Sequence, residues 1–166
     1  DDALIATAFA PHAPYTVSDA NFERIRMLAD QLDLPVHLHL HETAQEVEQS
    51  QQKHGQRPIA RMDRLGLIND RLIAVHMTQL TDAEIHLCAE RGVSVVHCPE
   101  SNLKLASGFC PACALQRAGV NLAIGTAFER EYGVLKRLGA TPLGRPRLLA
   151  AKTLAILAVE VVQVTV

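Results

Sequence analysis

Between Val36 and Glu42 the chain reads Val-His-Leu-His-Leu-His-Glu, aliphatic residues alternating with histidines until a carboxylate ends the run. A helix would scatter the two kinds of side chain around its circumference, whereas an extended strand sorts them onto opposite faces. The run therefore predicts a strand over Val36–Leu40, with His37, His39 and His41 sharing one face. It also narrows the fold. Imidazoles gathered toward a strand's C-terminal end suit a parallel α/β protein, which keeps its chemistry where strands run out. Imidazole is the commonest zinc ligand, and a nearby carboxylate is a usual proton carrier for a zinc-bound water.

The flanking sequence repeats strand, then helix. Residues 4–9 read as an apolar strand followed by a turn-rich stretch over 10–15. Ser18 is placed to cap a helix over Asp19–Leu32, with Phe22, Ile25, Leu28 and Leu32 on one face. Thr43 and Glu46 form a capping box, so a helix starts directly after Glu42, and a second one over 58–65 opens with Pro58. Leu72–His76 is the third strand, and Thr81 with Glu84 opens a helix to about Arg91. A strand over 93–97 follows, then a helix over 111–118 stopped by Gly119 and a fifth strand over 120–124 ending in Gly125-Thr126. Strands separated by helices predict α/β architecture around a parallel sheet.

The remaining sequence changes character. Residues 128–138 read as a helix, 139–147 as a Gly/Pro/Arg-rich breaker, 148–158 as an apolar helix and 159–166 as a strand-like end. Two regions are expected, 1–127 and a divergent tail over 128–166.

Composition excludes some functions. With 166 residues the chain is long enough for one sizeable core. The net charge is −2 with signs mixed along the chain, there is no Trp, and aromatic residues make up 4%. Neither phosphate steering nor base stacking is supported, so no nucleic-acid partner is expected. No apolar run is long enough for a bilayer, so no membrane partner is expected either. The chain starts at Asp1 without Met or a signal-peptide pattern, which suggests a fragment or processed chain and a cytoplasmic location. Cys110-Pro-Ala-Cys113 has CxxC spacing, but Cys88 and Cys98 do not form a second close pair. The cysteines read as small residues at a helix start, ahead of a zinc ribbon or redox motif.

Four of the eight histidines recur at strand ends. His12, His39, His76 and His97 sit where predicted strands finish, as does Gly125-Thr126. That register favours a functional site over isolated structural histidines. His54 and His86 fall on polar helix faces and are expected to be solvated. His37 and His41 are expected to pack beside His39.

These residues carry a resemblance. Phe9-Ala-Pro-His12-Ala-Pro-Tyr15, Val36 to Glu42, Ala74-Val-His76-Met-Thr-Gln-Leu80 and the stretch from His97-Cys-Pro-Glu-Ser-Asn to Gly108 resemble the amidohydrolase superfamily. More narrowly, they are similar to the 5-methylthioadenosine/S-adenosylhomocysteine deaminases of its chlorohydrolase branch, from about Phe9 to Thr126. The resemblance implies a partial (β/α)8 TIM-type barrel of about five strand–helix units. It implies His39 as a Zn2+ ligand, Glu42 as the proton shuttle to the adenine ring and a substrate contact, His76 as the group that orients and helps deprotonate the metal-bound water, and His12 as a substrate contact. The implied substrate is a small-molecule purine nucleoside, hydrolytically deaminated to the hypoxanthine form with release of ammonia. Zinc in that family lowers the pKa of a bound water toward neutrality.

Two departures shape the expectation for this chain. The family's upstream His-x-His ligand pair has no counterpart here, and Ala127 stands where the family's last ligand, an aspartate after Gly-Thr, is expected. Of four protein ligands, His39 alone is present, fewer than the three a catalytic zinc normally takes. The chain alone is thus expected to hold no stoichiometric zinc, to be inactive, and to self-associate through unpaired sheet edges. The alternatives are a non-catalytic relic acting as an interaction module, or a chlorohydrolase or other aminohydrolase of the same branch.

Overall fold

In a computed structural model, which describes residues 6–125, Ser18 opens the first helix, its hydroxyl accepting from Asn21 N. Helix α1 (Asp19–Leu32) ends at Asp33 in the left-handed region, φ 51°. It buries Phe22 and Ala29, and Leu28 is half-buried, but Leu32 is exposed. Strand β1 (Val36–Leu40) follows as expected, burying Val36, Leu38 and Leu40 and leaving His37 and His39 half-buried. Then come α2 (Ala44–His54), α3 (Pro58–Arg64), β2 (Leu72–His76), α4 (Asp82–Glu90), β3 (Ser94–His97), α5 (Pro99–Lys104), α6 (Ala112–Arg117) and β4 (Asn121–Ile124). The short helix α5, started by Pro99 at its first turn, is absent from the sequence reading.

All four strands are parallel and lie in sequence order, β1-β2-β3-β4. Each crossover carries at least one helix, as parallel pairing requires. One face of the sheet packs Leu38, Leu72, Ala74 and Val95 against Phe22, Ile59, Met62, Ile85 and Leu115 in a single core. Burying one such side chain stabilises by ~2 kcal/mol. The opposite face carries the rows His37–Ile73–Ser94–Asn121 and His39–Val75–Val96–Ala123.

The strand expected over 4–9 is corrected. Its first two residues lie outside the described residues, and 6–8 form no strand; Phe9 alone bridges Val36 in parallel. His37 N donates to Phe9 O at 2.7 Å and His39 N to His12 O at 3.2 Å. Three steps of chain from Phe9 to His12 thus face two steps from His37 to His39, and Pro11 has no N–H to offer. A bulge with a missing donor stops the ladder after one bridge. The described residues therefore hold four strands and this bridge, where about five strand–helix units were expected. Thr126, Ala127 and the elements expected over 128–138, 148–158 and 159–166 lie outside the described residues. Among the described residues no helix is long and apolar enough to cross a membrane.

Candidate active site

The site is built where β1 and β2 end. β1 stops at Leu40, and His41 takes a left-handed φ of 53°. The turn that follows is held from two sides. Glu46, buried in the first turn of α2, accepts His41 N at 3.1 Å and Glu42 N at 2.7 Å. The Thr43 hydroxyl caps Glu46 N at 3.1 Å. Only half of the expected capping box therefore forms, because the Glu46 carboxylate reaches past Thr43 to the strand end. Thr78 braces the other side, its hydroxyl 2.7 Å from Glu42 O and 3.1 Å from Ser107 O. Burial pushes the Glu46 carboxyl above its ordinary value, against the pull of the N–H groups it accepts.

The three histidines of the run part company. His41 is fully buried; its Nδ1 meets Gln79 O at 3.0 Å, and its Nε2 accepts Ile59 N at 3.0 Å. Since a carbonyl only accepts, Nδ1 carries the proton and both ring nitrogens are engaged. His41 in effect caps α3, whose own N-cap Arg57 makes no side-chain bond to it. Burial holds the His41 imidazole below its usual value. His41 is therefore a structural pin, as packing was expected of it, but its ring nitrogens are held by Gln79 O and Ile59 N, where a place beside His39 was expected. His37 is half-buried edge-on to His39, ring centroids 6.1 Å apart, and is held below its usual value by burial and then by His39.

His39 differs from both. Its Nδ1 lies 2.7 Å from His12 O, so Nδ1 donates and the Nε2 lone pair is left for something else. A backbone carbonyl behind Nδ1 is the usual support of a metal-ligating imidazole. The His12 ring stands 5.4 Å from that of His39 and bonds Thr16 Oγ1 at 3.2 Å through its own Nδ1.

His76 reaches the same place by a backbone distortion. In register it pairs with Leu40, so strand alternation would send its ring to the core face. A left-handed φ of 78°, followed by 49° at Met77, turns it instead onto His39, rings stacked 5.4 Å apart at 29°. Such a φ costs a non-glycine residue about 1–3 kcal/mol and clusters at functional sites. His76 Nε2 sits 3.4 Å from Glu42 Oε1. On its other side, Nδ1 lies 2.8 Å from Oδ1 of Asn102, which is 2% exposed on α5. Asn102 Nδ2 in turn faces His97 Nδ1 at 3.5 Å. Burial lowers the His76 pKa, against the Asn102 bond and the Glu42 charge.

His12, His39, His76 and Glu42, singled out from sequence, thus form one run of neighbours, successive rings 5.4 Å apart and Glu42 Oε1 3.4 Å from His76 Nε2. His97 lies one amide further away, His86 is exposed, and His54 is half-buried at the end of α2. The sequence assigns no role to Asn102 and Thr78, although both lie within the quoted motifs, and assigns Glu46 only a place in a capping box. Cys110 is buried and Cys113 exposed, as small residues around a helix start. Burial pushes the Cys98 thiol up to about 11 and Cys88 to about 12, so neither is a thiolate near neutral pH. For zinc, the donor chemistry fits at His39. Among the described residues, however, no three His, Cys, Asp or Glu side chains are grouped to hold a metal ion.

The chain is similar to known proteins. A sequence profile described as the amidohydrolase family matches residues 1–148, running on past Ala127. A 5-methylthioadenosine/S-adenosylhomocysteine deaminase of Teredinibacter turnerae is 53% identical over 123 residues, covering 74% of this chain and 28% of that protein. A 5'-deoxyadenosine deaminase of Methanopyrus kandleri is 43% identical over 125 residues, 75% of this chain and 29% of that one. Among solved structures, an adenosine deaminase from Xanthomonas campestris with bound zinc superposes with a TM-score of 0.75 at 86% identity, covering 76% of this chain and 29% of its own. The chain spans less than a third of the length of each of these proteins.

Proposed function

We propose, from the premise that this chain belongs to the amidohydrolase family, that it supplies one part of a zinc-dependent hydrolase that deaminates the adenine ring of a purine nucleoside. The substrate class is that of 5-methylthioadenosine and S-adenosylhomocysteine, following the names of its relatives. The four parallel strands in sequence order are read as an arc of a (β/α)8 barrel, with the site at the C-terminal strand ends.

One observation carries the reading. His39 commits Nδ1 to the His12 carbonyl and keeps Nε2 open, while Glu42 and His76 stand beside it within one small space. In this assignment His39 offers Nε2 to the metal. Glu42 carries a proton to the ring nitrogen next to the carbon under attack. His76 Nε2 accepts a proton on the same side and orients the attacking water. His12, exposed at the rim, touches the substrate.

A chimera tests this. Residues 6–125 replace the matching segment of the Xanthomonas deaminase, and release of ammonia from 5-methylthioadenosine is measured. The chimera is expected to turn over, and Glu42→Gln within it to lower kcat by about 10²- to 10⁴-fold, the usual worth of a general acid–base group. A Glu42→Gln chimera at full rate overturns the assignment. A second reading, a chain that keeps the motif without the reaction, is favoured by Ala127 in the place of the expected aspartate. Ammonia release by the unmodified chain supplied with zinc would count against it.

A further inference from the structure

The imidazole of His76 has one proton when neutral and two acceptors competing for it. Glu42 Oε1 lies 3.4 Å from Nε2, and Asn102 Oδ1 lies 2.8 Å from Nδ1. The carboxylate is intrinsically the stronger acceptor. If it won, the proton would sit on Nε2, and the nitrogen facing the site would be a donor with no lone pair. A base at that position needs the other tautomer.

Geometry decides in favour of Asn102. The 2.8 Å contact is an ordinary hydrogen-bond length, whereas 3.4 Å is long for a bond from nitrogen to a carboxylate. The amide cannot turn away cheaply. Asn102 is buried, and its Nδ2 faces His97 Nδ1 at 3.5 Å. Flipping the amide would aim an NH2 group at His76, move the imidazole proton to Nε2 and turn Oδ1 toward His97; with Oδ1 on His76, Nδ2 is the group that faces His97 Nδ1. The helix that carries Asn102 is tied at both ends of this residue, Asn102 N to Cys98 O at 2.9 Å and Ser107 N to Asn102 O at 2.9 Å. The distorted backbone at His76 completes the device, since φ 78° brings the ring between the two acceptors.

We infer that Asn102 is a positioning residue, which locks His76 in the Nδ1–H tautomer and so keeps the Nε2 lone pair turned toward Glu42 and His39. Its catalytic consequence rests on the role proposed for His76, but the tautomer itself does not. The same arrangement explains why the short helix α5 follows β3 directly: it delivers one amide to the back of the site.

Nitrogen NMR of the full 166-residue chain, labelled in histidine and assigned with His76→Gln, reads the tautomer without turnover. The wild type is expected to show His76 protonated at Nδ1 and bare at Nε2. Asn102→Leu removes the acceptor and is expected to move the proton to Nε2, toward Glu42. Asn102→Asp keeps an acceptor of the same shape and is expected to retain the proton on Nδ1. A wild-type Nε2–H tautomer overturns the inference, as does a folded Asn102→Leu chain that keeps Nδ1–H. Should the leucine variant not fold, Asn102→Asp decides: loss of the Nδ1 proton there rejects the lock. Because no step depends on deamination, this result stands or falls separately from the chimera.

Discussion

A histidine with both nitrogens engaged answers to pH differently from one with a nitrogen to spare. His41 is fully buried, donates from Nδ1 to Gln79 O and accepts Ile59 N at Nε2. Protonation would place a second N–H against a backbone N–H, so the folded protein resists it, as does burial. The folded pKa is below the unfolded one, so at mildly acidic pH the unfolded chain binds more protons. Stability is then full above the ordinary histidine value and is lost as pH falls from there toward the folded value, by up to ~1.4 kcal/mol per pH unit. Urea unfolding at pH 7.5 and 5.5 is expected to show this loss, and His41→Leu to show a smaller one. The variant is also expected to be ~1–3 kcal/mol less stable at pH 7.5, since Ile59 N loses its acceptor in the interior, while Gln79 O keeps the bond it accepts from Arg57 Nη2. An unchanged pH slope in the variant would place the acid sensitivity elsewhere.

At the level of elements, the helix that follows β1 does more than cover the sheet. Glu46 on α2 gathers the two N–H groups at the strand end that carries Glu42. Glu46→Ala leaves both donors without acceptors and is expected to cost ~2–6 kcal/mol, the sum of two such losses. Glu46→Gln keeps one acceptor oxygen and is expected to fall between, with thermal melts of the three chains giving the order. If alanine and wild type melt together, Glu46 is not holding the turn. This residue also marks how far the elements were legible. Ser18, Thr81 and the boundaries of β1 and β2 followed from local chemistry: a capping hydroxyl or a period of two needs only neighbours a few positions apart. Thr81 and Glu84 complete their capping box as the spacing implies. Glu46 sits at the same spacing from Thr43, yet its carboxylate serves the strand end, a competition that spacing alone does not express. The same applies to His76, whose position in the site depends on a φ of 78°, and to the frayed strand at Phe9, where a bulge and Pro11 stop the ladder. His41 shared His39's place in the alternation, and only the fold shows that Ile59 N and Gln79 O claim its two nitrogens.

For the molecule as a whole, the question is what metal a segment can hold when His39 is its proposed ligand. His39 presents an Nε2 lone pair, with its other nitrogen fixed on His12 O. His76 Nε2 and Glu42 Oε1 stand 3.4 Å apart, and among the described residues no three His, Cys, Asp or Glu side chains are grouped to hold a metal ion. A site of three or four ligands with a dissociation constant a thousandfold below the free zinc concentration would stabilise the fold by ~4 kcal/mol through mass action. For a domain of this size that is a rise in Tm of the order of 10 °C. One imidazole binds far too weakly for that, because each further ligand must be prepaid in geometry before the metal gains from it. Micromolar zinc is therefore expected to leave the melting temperature of this chain unchanged within about 1 °C. Elemental analysis after exhaustive dialysis is expected to find well under one zinc per chain. His39→Ala should alter neither result. In the chimera with the Xanthomonas deaminase the same substitution should remove the metal, since there His39 becomes one of several ligands. A single tightly held zinc in the chain alone, lost on His39→Ala, would instead mean that ligands beyond the described residues complete the centre.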